Sequence, residues 1–581
     1  MKTYAKAILA GLLFSLLAVN ANAANVAVNA NIAASTTWTA NNVYNLVGQI
    51  YVLPGATLTI EAGTLIKNAP ADLGSIAVCR GAKIFVNGTA TAPVIMTSTL
   101  DTMTAWHEGC NEWGNLTIMG KGVISASSKA PILGRQNTAI PDGLNQAGME
   151  GLVPADGNDT KTLYGGNDDN DDSGSIHYLS LRYGGKVIGL ANELNGLSLG
   201  GIGRETDIDH VEIMNNVDDG IEIWGGTVNL KYISIWNIGD DCFDIDEGWR
   251  GKAQFGLLVQ GYSVSAAQGS GVGDNCFEID GAEDSDAQPV TTGVIYNFTA
   301  IGQPIDGDQG IALRDNANVQ FRNCIFMDIG EMVVKNDNMD GDGAHGYGYN
   351  GTLSFAERWT TPYTTHSSVN AMSPVPAVGA FNHPDTLYQA QTSGTLLEVS
   401  DCVFYNNLFG QAYTTADSVN VRAAANNNVT AAAGLSPIQG ITRGAVVTKG
   451  GMQMLPVTLL NPCAANDALT SVNAAPADGF FTPAKFRGAF SANNNWLKGW
   501  TAADAYGMTV TTMNKPDPDA TIKMTTSTSF ATEVGVVYSV EASSDMKNWA
   551  PIQTVVGTGS TMSVTDLKSF DAAKFYRVVR Q

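Results

Sequence analysis

Val217-Asp218-Asp219-Gly220-Ile221-Glu222-Ile223-Trp224 is followed 22 residues later by Gly239-Asp240-Asp241-Cys242-Phe243-Asp244-Ile245-Asp246. After 34 residues the pattern returns as Gly273-Asp274-Asn275-Cys276-Phe277-Glu278-Ile279-Asp280, and after 34 more as Gly307-Asp308-Gln309-Gly310-Ile311-Ala312-Leu313-Arg314. Asn195-Gly196-Leu197-Ser198-Leu199 is a weaker earlier copy. Large apolar residues (Ile221, Phe243, Phe277, Ile311 and Ile223, Ile245, Ile279, Leu313) alternate with Glu222, Asp244, Glu278 and Ala312. Alternation with period two means a strand with one buried face.

A second strand precedes the first in each repeat. It appears as Ser175-Ile176-His177-Tyr178-Leu179-Ser180-Leu181, Asp207-Ile208-Asp209-His210-Val211-Glu212-Ile213 and Asn229-Leu230-Lys231-Tyr232-Ile233-Ser234-Ile235. Short strands at repeating intervals, with polar or glycine corners and no helical period, describe coils of a right-handed parallel β-helix. A β-sandwich has no reason to repeat Gly-Asp-Asp at matching corners.

The pattern extends in both directions. Leu53 to Ile66, Ile76 to Val78 and Gly81 to Thr89 read as strands cut by Gly-x turns, the start of the coil. Segments near 130–170 and 331–395 are irregular excursions, and coils resume at Leu396 to Phe404. The expected organisation is a leader at 1–23, a β-helix at 24–510, a linker at 511–520 and a small C-terminal β module at 521–581.

The leader has charged Met1 to Lys6, an apolar run from Ala7 to Val19, and small residues up to Ala23. That order predicts a cleaved secretory signal, a chain starting near Ala24, and a secreted location at the outer surface, in the periplasm or in the medium. The run is shorter than the roughly 20 apolar residues that span a bilayer, and no transmembrane segment is expected elsewhere.

The 55 acids against 32 Lys and Arg, a formal charge of −23, argue against nucleic acid and anionic lipid, which bind through clustered bases. Cations are the natural partners. Seven cysteines are too few for a disulfide scaffold and odd in number. Cys242 and Cys276 share a column with Gly220 and Gly310, so they are either free thiols in a slot for small residues or a bridged pair.

Several motifs resemble a large family of bacterial secreted β-helix proteins with a pectate-lyase- or polygalacturonase-like fold. They are Thr57 to Thr64, Arg80 to Ile84, Asn192 to Gly201, and the closing run from Asp478-Gly479-Phe480-Phe481-Thr482-Pro483 through Arg487 to Trp500-Thr501. The likeness covers about 45–507 and implies fold and export, with little chemistry. Val536 to Trp549 and Phe575 to Arg580 resemble a small β module found at the C-terminal ends of exported bacterial proteins.

Asp218, Asp240, Asp274 and Asp308 occupy one column of the repeat. At a coil spacing of about 4.8 Å, two ionised neighbours repel by about 3.5 kcal/mol at an effective dielectric near 20. The column therefore needs turn amides, shared protons or a cation such as calcium, and catalysis is the remaining alternative. Asp219-Gly220 followed by Gly239-Asp240-Asp241-Cys242 resembles the polygalacturonase-type hydrolases, which implies acid and base roles for Asp219, Asp240 and Asp241. That family's Gly-His-Gly one coil later, and an Arg-x-Lys beyond it, have no counterpart at those places in this chain.

Asp169-Asn170-Asp171-Asp172-Ser173-Gly174 has the opening of an EF-hand loop, but Ser180 stands where a bidentate Glu is required. Asp169, Asp171 and Ser173 are thus candidate ligands of a free-standing calcium loop, and Asp337, Asp340 and Asp342 form a weaker one. Trp224 and Trp249 beside the acids are candidate sugar platforms, and Trp236, Trp106 and Trp113 are further indoles; the bland alternative is that such indoles pack loops onto the coil. The leading expectation is a non-catalytic exported surface, adhesive or glycan-binding protein stabilised by calcium. The alternative is a polysaccharide-degrading hydrolase or lyase.

Overall fold

Alternating apolar residues stack from coil to coil. Ile221 pairs in parallel register with Phe243, Phe243 with Phe277, Phe277 with Ile311 and Ile311 with Val334. Leu197 pairs with Ile221, so the weak copy at 195–199 is a genuine coil. These side chains are buried in one continuous core running from Ile32 to Phe404. The computed structural model describes residues 23–125, 146–189, 192–261, 273–281, 289–336, 347–348, 353–363, 388–408, 426–449, 451–511, 526–543, 547–566 and 575–580. The leader before residue 23, nearly all of the linker, much of both excursions, and Asp337, Asp340 and Asp342 lie outside the described residues.

The architecture is a right-handed parallel β-helix with two sheets, one of 17 strands and one of nine. The nine-stranded sheet is a single ladder from Gln49–Val52 to Val334–Asn336 and carries the repeats quoted above. The larger sheet wraps a corner. Its strand Gly174–Arg182 pairs with Lys83–Asn87 before the bend and with Val94–Ser98 after it. The bend falls on Tyr178, whose φ is +50°.

The same corner puts His210, Tyr232, Phe255 and Asn297 in the left-handed region, at φ +53° to +62°. Such a conformation costs a non-glycine residue about 1–2 kcal/mol. Ring stacking offsets it: Tyr178, His210, Tyr232 and Phe255 lie face to face at successive centroid distances of 4.0, 4.3 and 5.0 Å.

Coils resume after the second excursion as expected, with Glu398–Ser400 on Gln320–Arg322 and Val403–Tyr405 on Ile325–Met327. The last coil strand is Val429–Thr430. Within 438–510 the chain covers the coil from outside. An antiparallel pair, Ile438–Arg443 with Val457–Ala464, packs on an outward apolar face that includes Met214, Trp236, Leu257 and Ile301.

The chain then runs back toward the N-terminal coils as a strap. Arg487 donates to the carbonyls of Asp401, Leu469, Ser471 and Asn427, and Trp496 and Trp500 meet the ring stack edge-on. The amides of Ala502 and Ala503 donate to the buried carboxylate of Glu212, at 2.5 and 3.0 Å. The C-terminal residues form two antiparallel groups, Thr526–Ala531 with Thr561–Asp566, and Val537–Ser543 between Ala550–Val556 and Phe575–Arg580. Among the described residues no helix is long and apolar enough to cross a membrane.

Candidate functional site: an acidic wall on the nine-stranded sheet

The parallel register copies each corner acid onto the next coil, so four columns of polar side chains stand on one wall. The first is Asp218, Asp240, Asp274 and Asp308, and Glu331 extends it. Asp240 shares a side-chain hydrogen bond with Asp274, and Asp308 shares one with Asp274 and another with Glu331. Two carboxyl groups can hydrogen-bond only if one holds a proton. Burial, then the Asp274 charge, push Asp240 up to about 7, and burial with Asp274 and Glu331 pushes Asp308 up to about 8.

The second column is a ladder. Asn195 Oδ1 accepts the amide of Asp219 (3.2 Å), Asp219 Oδ1 that of Asp241 (2.9 Å), and Asp241 Oδ1 that of Asn275 (2.6 Å). Both carboxylates are buried, and burial, reinforced by Asp218 and Asp240 respectively, pushes them well above the usual carboxylate range. Asp219 and Asp241 therefore cap turns, and neither stands at an open cleft as a free acid or base.

The third and fourth columns point outward from the strands: Glu222, Asp244 and Glu278, then Trp224, Asp246, Asp280 and Arg314. Arg314 pairs with Glu278 and approaches Asp280 at 3.4 Å. Three overlapping triads result: Asp218, Asp219 and Asp240; Asp219, Glu222 and Asp244; and Asp244, Glu278 and Asp280. In each, one oxygen per residue lies within 4.8 Å of the others.

Donors that are all oxygen suit a hard cation of the calcium type, which takes six to eight oxygens at about 2.3–2.6 Å. Two further observations fit. Asn275 Oδ1 and Asp244 Oδ1 are buried among these acids without a hydrogen-bond partner. An amide oxygen facing carboxylates has no donor to meet unless a proton or a metal ion lies between them.

The other candidates lie elsewhere. Both oxygens of Asp169 engage the Arg250 guanidinium, at 2.5 and 2.9 Å, and one also accepts the Val123 amide. Burial alone would raise Asp169, but Arg250, Val123 and Arg204 hold it below the usual range. Asp171 accepts from the Ser173 hydroxyl (2.9 Å), while Asp168 and Asp172 cap Asn170 and Gly174. The loop at 169–174 caps itself and leans on an arginine, and among the described residues its acids form no group of three with ligand atoms within 4.8 Å of one another.

The indoles are walled in. Trp249 is fully buried and donates to the Val228 carbonyl, and Trp224 is 4% exposed beneath Tyr164, which the first excursion lays over it. Neither offers a face to a sugar. Trp236 donates to Ser234, Trp106 to Asn215 and Trp113 to the Arg182 carbonyl. Cys242 and Cys276 are buried free thiols. The wall residues outside the expected ligand set are Glu222, Asp244, Glu278, Asp280, Glu331 and Asn275. Their signal was the polar phase of the strand alternation, which marks outward side chains without saying that they meet.

A family model described as a pectate-lyase-like β-helix domain matches residues 30–378, more than half of the chain and all four columns. The chain belongs to this family. No match was found among curated proteins or solved structures. The pectate-lyase-like domain thus contains the wall and the ring-stacked corner, while the strap and the C-terminal strands follow the matched region.

Proposed function

We propose that this protein is an exported, non-catalytic β-helix scaffold whose acidic wall binds calcium, acting at the cell surface as an adhesive or glycan-binding protein. The observation that carries the reading is the chain of three carboxylate triads joined through Asp219 and Asp244. Calcium neutralises a buried row that otherwise needs shared protons. Export is supported by the leader, and a non-catalytic role by the commitment of Asp219 and Asp241 to backbone amides. In this reading glycans would meet exposed loop or coil surface, since Trp224 and Trp249 are covered.

The test is a calcium titration followed by calorimetry and thermal melting. An ion bound only by the folded state raises the melting temperature by mass action. Asp244→Asn, which belongs to two triads, is expected to weaken binding. Identical melting curves in calcium and in chelator would overturn the cation reading. Release of reducing ends from a polysaccharide, abolished by Asp240→Asn with Asp241→Asn, would overturn the non-catalytic one.

A further inference from the structure

On the other sheet, two coils bring a histidine and two aspartates together outside the acidic wall. His177 pairs in register with Asp209, and Ser175 with Asp207, so the side chains of 177, 207 and 209 project from one outer face. One ligand atom from each lies within 4.8 Å of the others. His177 Nδ1 is 3.0 Å from Asp209 Oδ2, a hydrogen bond, whereas Nε2 is 3.7 Å from Asp207 Oδ2, too far for one.

The two separations differ in meaning. Two atoms bound to one zinc ion at about 2.0–2.1 Å, at angles of roughly 110–130°, stand about 3.3–3.8 Å apart. The gap between Nε2 and Asp207 has that size. The Nδ1 contact to Asp209 is the outer-shell arrangement of metal-bound histidines, in which a carboxylate takes the other ring N–H and fixes the tautomer. Asp209 is itself held: its Oδ1 lies 2.6 Å from His210 Nδ1, and the His210 ring is clamped between Tyr178 and Tyr232.

The neighbouring cation does not fill the site. Lys231 follows Asp209 in register, but its ammonium donates to the Phe480 carbonyl (2.6 Å) and the Thr482 hydroxyl (3.1 Å) of the strap. Side-chain exposures of 29% for His177 and 71% for Asp207 leave room for water or an outside ligand on the remaining coordination positions.

We propose that His177 Nε2 and Asp207 bind a zinc-class transition-metal ion on the outer face of the β-helix, with Asp209 as positioning residue. An imidazole selects such ions over calcium, which takes oxygen ligands, so this site and the acidic wall have different cations. The site does not depend on the calcium reading.

The experiment titrates zinc chloride into the full chain in excess calcium, which occupies oxygen-only sites. The expected result is one zinc ion bound per chain and a zinc-dependent rise in melting temperature. His177→Ala and Asp207→Asn should both abolish them, and Asp209→Asn should weaken binding about 10–100-fold. Asp207 is exposed, so its variant folds normally and decides the question even if His177→Ala is unstable. Absence of zinc binding by the native chain, or equal binding by native chain and Asp207→Asn, would overturn the proposal and leave a simple ion pair.

Discussion

Asp219 Oδ1 accepts the backbone amide of Asp241 one coil further along, at 2.9 Å, and Asp241 repeats the contact to Asn275 at 2.6 Å. Residues whose spacing resembles a hydrolase's acid pair thus cap turns between stacked corners. An acceptor oxygen is what each corner needs; a charge is not.

This predicts opposite signs for two substitutions at Asp241 in metal-free protein. Asp241→Asn keeps an oxygen for the Asn275 amide and removes a buried charge, so stability is unchanged or higher. Asp241→Leu strands that amide and costs about 1–3 kcal/mol. Urea unfolding of the two variants in chelator measures the difference, and equal losses would refute the capping role.

The shared-proton column gives a pH dependence. Asp240 and Asp308, raised to about 7 and about 8, bind protons more tightly folded than unfolded. Their contribution is complete below the unfolded carboxylate value near 4 and is lost as pH rises toward about 8. In chelator the melting temperature should fall across that window, and calcium should flatten the slope by taking the place of protons. A flat profile in chelator would count against the buried row.

Asp169 has the opposite sign. Its carboxyl is held below the usual range by Arg250 despite burial, so its contribution is present above about pH 4 and is lost as pH falls through the folded value. Asp169→Asn removes the carboxylate charge that faces the buried Arg250 and should cost about 3–5 kcal/mol at neutral pH. The deficit should shrink in acid. A deficit independent of pH would mean that packing, not the ion pair, is lost.

Glu212 clamps the strap. It is fully buried, takes the amides of Ala502 and Ala503 and the Ser180 hydroxyl, and faces the buried Arg182. Glu212→Ala should destabilise by about 3–5 kcal/mol and expose 486–510 to limited proteolysis while the coil retains its β circular dichroism. Unchanged cleavage in that segment would show that Trp496 and Trp500 suffice to hold it.

In a solenoid each coil meets only its neighbours, so repeat spacing alone decides which residues stack. That is why the β-helix, the Ile221, Phe243, Phe277 and Ile311 core column and the Asp218 to Asp308 acid column were all legible in the sequence. Contacts that leave the coil obey no period. Arg250 reaches Asp169 across 81 residues, Tyr164 covers Trp224, and Ala502 meets Glu212 across 290 residues. Local spacing carries no record of such pairings, so only the tertiary structure shows that Arg250 takes Asp169 and that Trp224 and Trp249 are buried. It also decided that strand acids at 222, 244, 278 and 280 close with the corner acids into one wall.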